Sequence, residues 1–165
     1  AKLFHLVPDE GGVWKERENA IYEFKGDGTR VLRFQPVRVD ETPAALDYLH
    51  DRFAEFWDQS PMDKLLLIPA YILDFLCIHP FKDGNGRMSR LLTALLLSKA
   101  GYDIGRYFGL EEVVERRQVP YYDALQRCSQ GWHESHHPMA PCWEFFLGIM
   151  LLDPSETFDQ ATSQP

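Results

Sequence analysis

Residues 79–90 combine, in one short stretch, a base, a carboxylate, a glycine-flanked amide and two guanidinium groups. The stretch reads His-Pro-Phe-Lys-Asp-Gly-Asn-Gly-Arg-Met-Ser-Arg. Residues 91–101 follow directly, and their leucines and alanines favour a helix that Gly101 is placed to cap at its C-terminus. We therefore predict that residues 84–86 form the loop that enters this helix.

The start of the predicted helix carries two cations where acidic residues are usual. Unpaired backbone N–H groups and the positive end of the dipole attract anions there. Arg87 and Arg90 each oppose that dipole by about 0.3–1 kcal/mol, so a polyanion is expected to offset the repulsion. Gly84 and Gly86 allow a phosphate to approach the backbone without meeting a Cβ, and the Asn85 side chain can donate as well. We predict a phosphate-binding site.

His79 and Asp83 could supply a base and a metal ligand beside that phosphate. Imidazole titrates near neutrality, and Pro80 should end the preceding helix and leave the ring at the mouth of the loop. Asp83 is a hard oxygen ligand of the kind that holds Mg²⁺ together with phosphate oxygens. The residues indicate nucleotide-dependent group transfer, in which His79 deprotonates a hydroxyl while the metal and arginines stabilise charge on the phosphates.

Each of these residues also has a purely structural explanation. A Gly-Asn-Gly triplet before a helix is often a simple turn, and a histidine at a helix end is often a cap or a core residue. Arg87 or Arg90 alone would be a solvated surface charge. The functional interpretation is favoured because all of these groups fall within twelve residues.

The pattern His-Pro-Phe-x-Asp-Gly-Asn-Gly-Arg-x-x-Arg resembles the signature of Fic domains, with every specified position filled. The resemblance continues through residues 65–70, 121–126 and 131–134. It implies a nucleotidyltransferase that moves AMP from ATP to a Ser, Thr or Tyr hydroxyl of a target protein and releases pyrophosphate. It implies that His79 is the general base and Asp83 the ligand of Mg²⁺ or Mn²⁺. It also implies five residues that bind the nucleotide phosphates: Gly84, Asn85, Gly86, Arg87 and Arg90.

Other activities on the same scaffold stay open. A branch resembling the Doc toxin has Lys at the position of Gly86 and transfers the γ-phosphate. Glycine there leaves room for the β-phosphate and favours adenylyl transfer. A phosphotransferase, another nucleotide-group transferase and a non-catalytic nucleotide-binding module remain alternatives.

Many Fic proteins carry an inhibitory segment of the form Ser/Thr-x-x-x-Glu-Gly/Asn, which has no match in this sequence. A segment outside this chain, inhibition by another chain and the lack of inhibition all remain open. We expect Arg90 to be available to ATP.

Length and composition predict one intracellular domain. A chain of 165 residues can bury a sufficient core, and we assign residues 1–152 to a single domain and 153–165 to a polar, extended or disordered tail. A cytoplasmic location is favoured by an odd number of cysteines without zinc-like spacing: Cys77, Cys128 and Cys142.

Charge and hydropathy exclude other classes of partner. The net charge of −8 disfavours nucleic acid. The apolar run 65–78 is too short to span a membrane and is interrupted by Pro69 and Asp74. The oligomeric state stays open, a homodimer included.

The predicted fold class is mainly α: a Fic-type helical bundle with a small β-hairpin. Residues 21–24 and 30–34 alternate apolar and polar side chains around an Asp-Gly turn, which predicts a hairpin over about residues 20–35. A helix should follow, with Thr42 as N-cap and an apolar face of Leu46, Leu49, Phe53, Phe56 and Trp57. A buried central helix is predicted over 63–77, kinked or restarted at Pro69. Further helices are predicted near 110–115, 120–132 and 141–152.

The resemblance also assigns roles outside the motif. It implies that the hairpin is a flap that docks the target protein by strand addition, through Tyr22, Glu23, Phe24, Val31 and Leu32. It implies adenine contacts for three residues of the helix at 120–132: Tyr121, Tyr122 and Ser129. Core packing is the alternative for the two tyrosines, and we expect at least one of them to be core.

Residues 133–137 match the zinc-protease pattern His-Glu-x-x-His, which requires both histidines on one face of a continuous helix. Pro138 and Gly131 both disfavour helix there. We predict that these histidines lie in a loop or at a helix end.

Overall fold

The computed structural model describes residues 13–102, 114 and 116–151. In these ranges the chain forms a hairpin of β1 (Ile21–Phe24) and β2 (Arg30–Phe34), followed by helices α1 (Thr42–Gln59), α2 (Lys64–Ile78), α3 (Asn85–Lys99), α4 (Gln118–Ser129) and α5 (Ala140–Met150). The predicted fold class, mainly helical with a small hairpin, is confirmed. The helix predicted at 110–115 and the tail from 153 lie outside the described residues, apart from Val114.

Contacts divide the chain into two compact units. The first unit contains Ala1–Ser60 and Asp74–Ser89, and the second contains Pro61–Leu73 and Arg90–Pro165. Helices α2 and α3 each contribute residues to both units. Motif residues 79–89 therefore belong to the first unit. The single domain proposed over residues 1–152 stays a prediction.

The hairpin of the first unit forms as predicted. Its strands are antiparallel, with Tyr22 opposite Leu32. Gly28 takes a left-handed conformation with φ +82°, and its N–H donates to Lys25 O at 2.9 Å. Asp27 Oδ1 accepts the Thr29 N–H at 2.8 Å. The Asp-Gly pair thus makes the turn, because glycine adopts positive φ without a steric cost.

The start of α1 differs from the prediction. Glu41, not Thr42, is the N-cap, and it has helical dihedrals and no capping side chain. The Thr42 hydroxyl donates backwards to Arg38 O at 2.7 Å, and Thr42 is itself the first helical residue. Leu46 and Leu49 are buried as expected, whereas Phe56 is 39% exposed.

Helix α2 is continuous through Pro69, so the predicted restart does not occur. Proline removes one backbone hydrogen bond. Because α2 is apolar nearly all round, burial offsets that loss; Ile68 and Leu73 are almost inaccessible to solvent. None of the described helices is long and apolar enough to cross a bilayer.

In the second unit, α3 ends as predicted at Gly101. This glycine has φ +87°, its N–H donates to Ser98 O at 3.0 Å, and the next N–H, of Tyr102, donates to Leu97 O at 3.0 Å. The pair of bonds is a Schellman motif, which satisfies carbonyls that the helix end leaves open. Helices α4 and α5 pack together, and the Cys142 N–H lies 3.1 Å from Cys128 Sγ.

Candidate active site

His79 ends α2 in a strained conformation. Its N–H completes the helix by donating to Phe75 O at 2.9 Å, but its own φ is +53°. A residue before proline normally takes an extended conformation, and the left-handed region costs a non-glycine residue about 1–2 kcal/mol. Residue 79 therefore turns the chain sharply into the loop 80–84, and its surroundings must hold it there.

The His79 imidazole is oriented by the end of its own helix. Its Nδ1 lies 3.1 Å from Leu76 O. A carbonyl oxygen can only accept, so the contact requires the proton on Nδ1 and leaves the lone pair on Nε2. The ring is held in the tautomer whose outer nitrogen can accept a proton.

The surroundings of His79 favour the neutral ring. Burial is the largest influence and lowers the pKa of His79 below its usual value of 6.5; the hydrogen bond to Leu76 O raises this pKa, the charge of Lys15 lowers it, and that of Asp83 raises it. The net direction is downward. His79 is therefore unprotonated at neutral pH, as a general base must be.

The lowered pKa predicts a pH dependence. We expect the acid limb of the kcat/KM profile to have its midpoint below pH 6.5, measured between about pH 5 and about pH 8. Because the folded state binds this proton more weakly than the unfolded chain, the free energy of unfolding should also fall as the pH drops from 6.5 toward the folded pKa.

The control for the pH profile is His136→Asn. His136 is exposed and lies in the irregular segment after α4, so its replacement should leave the limb in place. A limb centred at or above pH 6.5 in the native chain would contradict the prediction.

Asn85 closes the loop that follows His79. Its side chain is 1% exposed; Oδ1 accepts the Phe81 N–H at 2.9 Å, and Nδ2 donates to Phe81 O at 2.8 Å. Both polar atoms of the amide thus pair with the backbone of one loop residue. The contact of the Asn85 side chain with a phosphate stays a prediction.

Helix α3 begins two residues earlier than a loop over 84–86 requires. Gly84 has φ +82°, and its carbonyl accepts the Met88 N–H at 2.8 Å, so it precedes the first helical turn. Asn85 and Gly86 are already helical. The first N–H groups of a helix have no acceptor in a preceding turn, and the first turn of α3, from Asn85, forms the candidate anion site.

Asp83 and Arg87 face each other across the first turn of α3. Asp83 Oδ2 lies 2.9 Å from the Arg87 guanidinium, and Oδ1 accepts the Gly84 N–H at 2.6 Å. Both side chains are exposed. One exposed carboxylate suits a divalent cation that takes its other ligands from phosphate oxygens and water, which fits Mg²⁺.

The remaining predicted nucleotide contacts lie in the second unit. Arg90 is partly buried on α3. Tyr121 packs between Tyr122 and Phe145, with ring centroids 5.3 and 5.4 Å away, and it contacts the core cluster of Val114 and Ile149. The expectation that at least one of the two tyrosines is core is thereby confirmed.

The two other adenine candidates, Tyr122 and Ser129, lie on the same helix as Tyr121. Tyr122 is 60% exposed, and the Ser129 hydroxyl donates to Gln126 O at 3.0 Å. The role of Tyr121, Tyr122 and Ser129 at the adenine stays a prediction.

The predicted docking residues lie on the hairpin. Tyr22 and Leu32 are exposed opposite each other, and the Arg30 guanidinium lies 3.4 Å from the centroid of the Tyr22 ring. Glu23 forms an ion pair with Arg33. Val31 is opposite Glu23, and Phe24 ends β1 opposite Arg30. Among the described residues the two strands pair only with each other, which leaves backbone edges for a further strand. Target docking stays a prediction.

The histidines of the His-Glu-x-x-His pattern lie outside any helix. Helix α4 ends at Ser129, residues 131–135 form turns, and Ser135 has φ +55°. The predicted loop or helix-end position is confirmed. Within the described ranges, no three His, Cys, Asp or Glu side chains form a group that could hold a metal ion.

One residue of the site escaped sequence reasoning. Lys15 is 4% exposed, and its Nζ donates to Ile78 O at 2.9 Å, next to His79. It lies 63 positions from Ile78 in the chain, and no local pattern distinguishes it from a surface lysine. The one signal in the sequence is the neighbouring Trp14, because a large aromatic side chain favours an ordered segment around Lys15. In the structure Trp14 forms an isolated β-bridge with Phe81.

Comparison with known proteins identifies the family. Residues 1–97 match the Fic/DOC family, and the chain belongs to that family. It is 46% identical over 135 residues to a protein named protein adenylyltransferase Fic from Culex quinquefasciatus, a match that covers 78% of this chain and 22% of that one. It is 41% identical over 69 residues to a ribonucleoside-diphosphate reductase small chain of Ostreid herpesvirus 1, covering 42% of this chain and 11% of that one.

The fold has a counterpart among solved structures. A Fic family protein from Desulfovibrio desulfuricans G20 superposes with a TM-score of 0.65 at 25% identity, covering 99% of this chain and 46% of that one. The chain thus spans less than half of that protein and 22% of the mosquito relative.

Proposed function

We propose that this chain is a protein adenylyltransferase that transfers AMP from ATP to a Ser, Thr or Tyr hydroxyl of a target protein. The observation that carries the proposal is the His79 ring, whose Nδ1 is engaged by Leu76 O, so that Nε2 can take a proton. A few residues later the open N–H groups of α3 offer a place for phosphates. A base and an anion site in one short segment suit attack by a hydroxyl on a phosphate ester.

The reaction forms one P–O bond and breaks another. The target hydroxyl oxygen bonds to the α-phosphorus, and its proton passes to His79 Nε2. The bond between the α-phosphorus and the oxygen bridging to the β-phosphate breaks, and pyrophosphate leaves with the electron pair. The lowered pKa of His79 keeps it ready to accept that proton.

The phosphates would lie on the first turn of α3. Backbone N–H groups and the helix dipole favour negative charge, and Gly86 adds no Cβ to obstruct a phosphate. Arg87 and Arg90 would bind phosphate oxygens. Bound Mg²⁺ or Mn²⁺ would neutralise phosphate charge, with Asp83 as its protein ligand. Asp83 and Arg87 form an ion pair in this structure, so the residue that would hold the cation lies next to an arginine that would bind phosphate.

The hairpin would receive the target. A strand of the target protein added to an edge of β1 or β2 would be held by backbone hydrogen bonds, and exposed Tyr22 and Leu32 would contact its side chains. Backbone bonds give a defined register, which the hydroxyl needs in order to reach the base.

Labelled ATP tests the proposal. The chain is incubated with a protein extract, Mg²⁺, and ATP radiolabelled at either the α- or the γ-phosphate. We expect protein labelling from the α-label alone and, by intact mass, a gain of one adenylate. Labelling from the γ-label would instead show a phosphotransferase. ATP binding without labelling from either position would show a non-catalytic module.

A further inference from the structure

The ammonium group of Lys15 is buried and fully hydrogen-bonded. Its Nζ donates to Val37 O, to Ile78 O at 2.9 Å and to Asn19 Oδ1 at 3.3 Å. An ammonium has three N–H donors, and here three oxygens accept them. Burial lowers the pKa of Lys15 and the charge of Glu18 raises it. A neutral amine would turn its lone pair toward an oxygen, so the charged form is the one that fits the site.

The segment 14–19 lies against the turn at His79 and contacts successive residues of it. The Lys15 N–H donates to Pro80 O at 2.9 Å, and Asn19 Nδ2 donates to His79 O at 3.4 Å. Trp14 forms a β-bridge with Phe81. Together with the bond from Lys15 Nζ to Ile78 O, these contacts reach each of the four consecutive residues 78–81.

These contacts lie at the end of α2, where the backbone conformation of His79 is strained. The Ile78 carbonyl belongs to the last turn of α2, where carbonyls lack helical partners and a cation is favourable. His79 is left-handed and precedes a proline, a combination that persists only when neighbouring groups hold it. Lys15 holds the carbonyl groups of the two residues that flank His79: its side chain donates to Ile78 O and its backbone N–H donates to Pro80 O.

We propose that Lys15 is a positioning residue for His79, whose buried ammonium holds the left-handed turn that presents His79 Nε2 to the target hydroxyl. This inference rests on the proposed function, in which His79 is the base. The same ammonium also biases the protonation of the ring. Lys15 faces His79 from the segment 14–19 and lowers its pKa, whereas Asp83 faces it from the loop 80–84 and raises it.

The test compares Lys15→Met with Lys99→Met. Methionine fills the same buried space without the charge, and Lys99 is an exposed lysine in the last turn of α3, so both variants lose one positive charge. For Lys15→Met we expect kcat to fall by about tenfold or more, with KM for ATP changed by less than about twofold, because the base and not the phosphate site is displaced. Lys99→Met should match the native chain.

Two further readouts separate positioning from mere stabilisation. The His79 ring resonance, assigned by its loss in His79→Asn, should titrate at a higher pH in Lys15→Met, because the cation that lowered its pKa is gone. Lys15→Arg keeps the charge and should recover part of the lost kcat. A lower melting temperature in Lys15→Met, with kcat and the His79 titration both unchanged, would overturn the proposal.

A milder variant covers the case in which Lys15→Met does not fold. Asn19→Ala removes the donor to His79 O and one acceptor of Lys15. We expect kcat to fall by about threefold or more at unchanged KM; a native kcat in this variant would overturn the proposal. The titration of His79 is measured without ATP. It therefore reports on Lys15 even if the labelling experiment shows no adenylyl transfer, so the two proposals can fail separately.

Discussion

His79→Ala is expected to lower the rate of AMP transfer by about 10²–10⁴-fold, the usual contribution of a general base. The imidazole is held by Leu76 O with Nε2 available, and alanine offers no group that could take the proton. Affinity for ATP should change little, because the predicted phosphate contacts come from α3 and not from the ring. The measurements are single-turnover transfer from α-labelled ATP and calorimetric ATP binding.

The matched control is His136→Ala. His136 is exposed and lies outside the motif, so its loss should leave both transfer and binding at native values. If His79→Ala transferred AMP at nearly the native rate, His79 would not be the base. If neither the native chain nor His79→Ala transferred AMP, and both bound ATP equally well, the protein would be a non-catalytic nucleotide-binding module.

Asn85→Ala should reduce both the stability and the activity of the chain. The buried amide satisfies the N–H and the C=O of Phe81, and leaving such groups without partners costs about 1–3 kcal/mol for each one. The loop 80–84 would lose its attachment to α3, so Asp83 would no longer be held at the helix start. We expect a clear decrease in the free energy of unfolding by urea, and slower transfer measured well below the unfolding midpoint.

Ser89→Ala is the control for Asn85. Ser89 is also almost fully buried and lies on the same helix, and its hydroxyl donates to Gly86 O at 2.8 Å, a carbonyl of its own helix rather than of the loop. Its loss should cost about 0.5–1.5 kcal/mol, the net value of a typical hydrogen bond. Equal destabilisation by the two substitutions would show that the amide bonds to Phe81 have no special importance.

Local sequence patterns correctly predicted those parts of the structure that depend on neighbouring residues alone, such as turns and helix ends. The hairpin needed an Asp-Gly turn between alternating strands, and the end of α3 needed a glycine at the left-handed position; both formed as expected. The zinc-protease pattern was set aside because of Gly131 and Pro138, and the structure places those histidines in turns and irregular backbone.

The errors arose where another part of the molecule competed with a local preference. Thr42 was expected to cap α1, but its hydroxyl donates to Arg38 O, and the helical conformation begins one residue earlier. Pro69 was expected to kink or restart α2; the helix does not restart there, because its burial outweighs one lost hydrogen bond.

The sequence alone determined which groups stand next to one another at residues 79–90, because that order is covalent: a base, a carboxylate, a glycine-flanked turn and paired arginines before a helix. Only the tertiary structure decided how His79 is held. Its lowered pKa depends on burial and on the charge of Lys15, which also approaches the left-handed turn through Ile78, 63 positions away in the chain. Burial and long-range contacts arise only when distant segments pack, so no short pattern of residues could predict them.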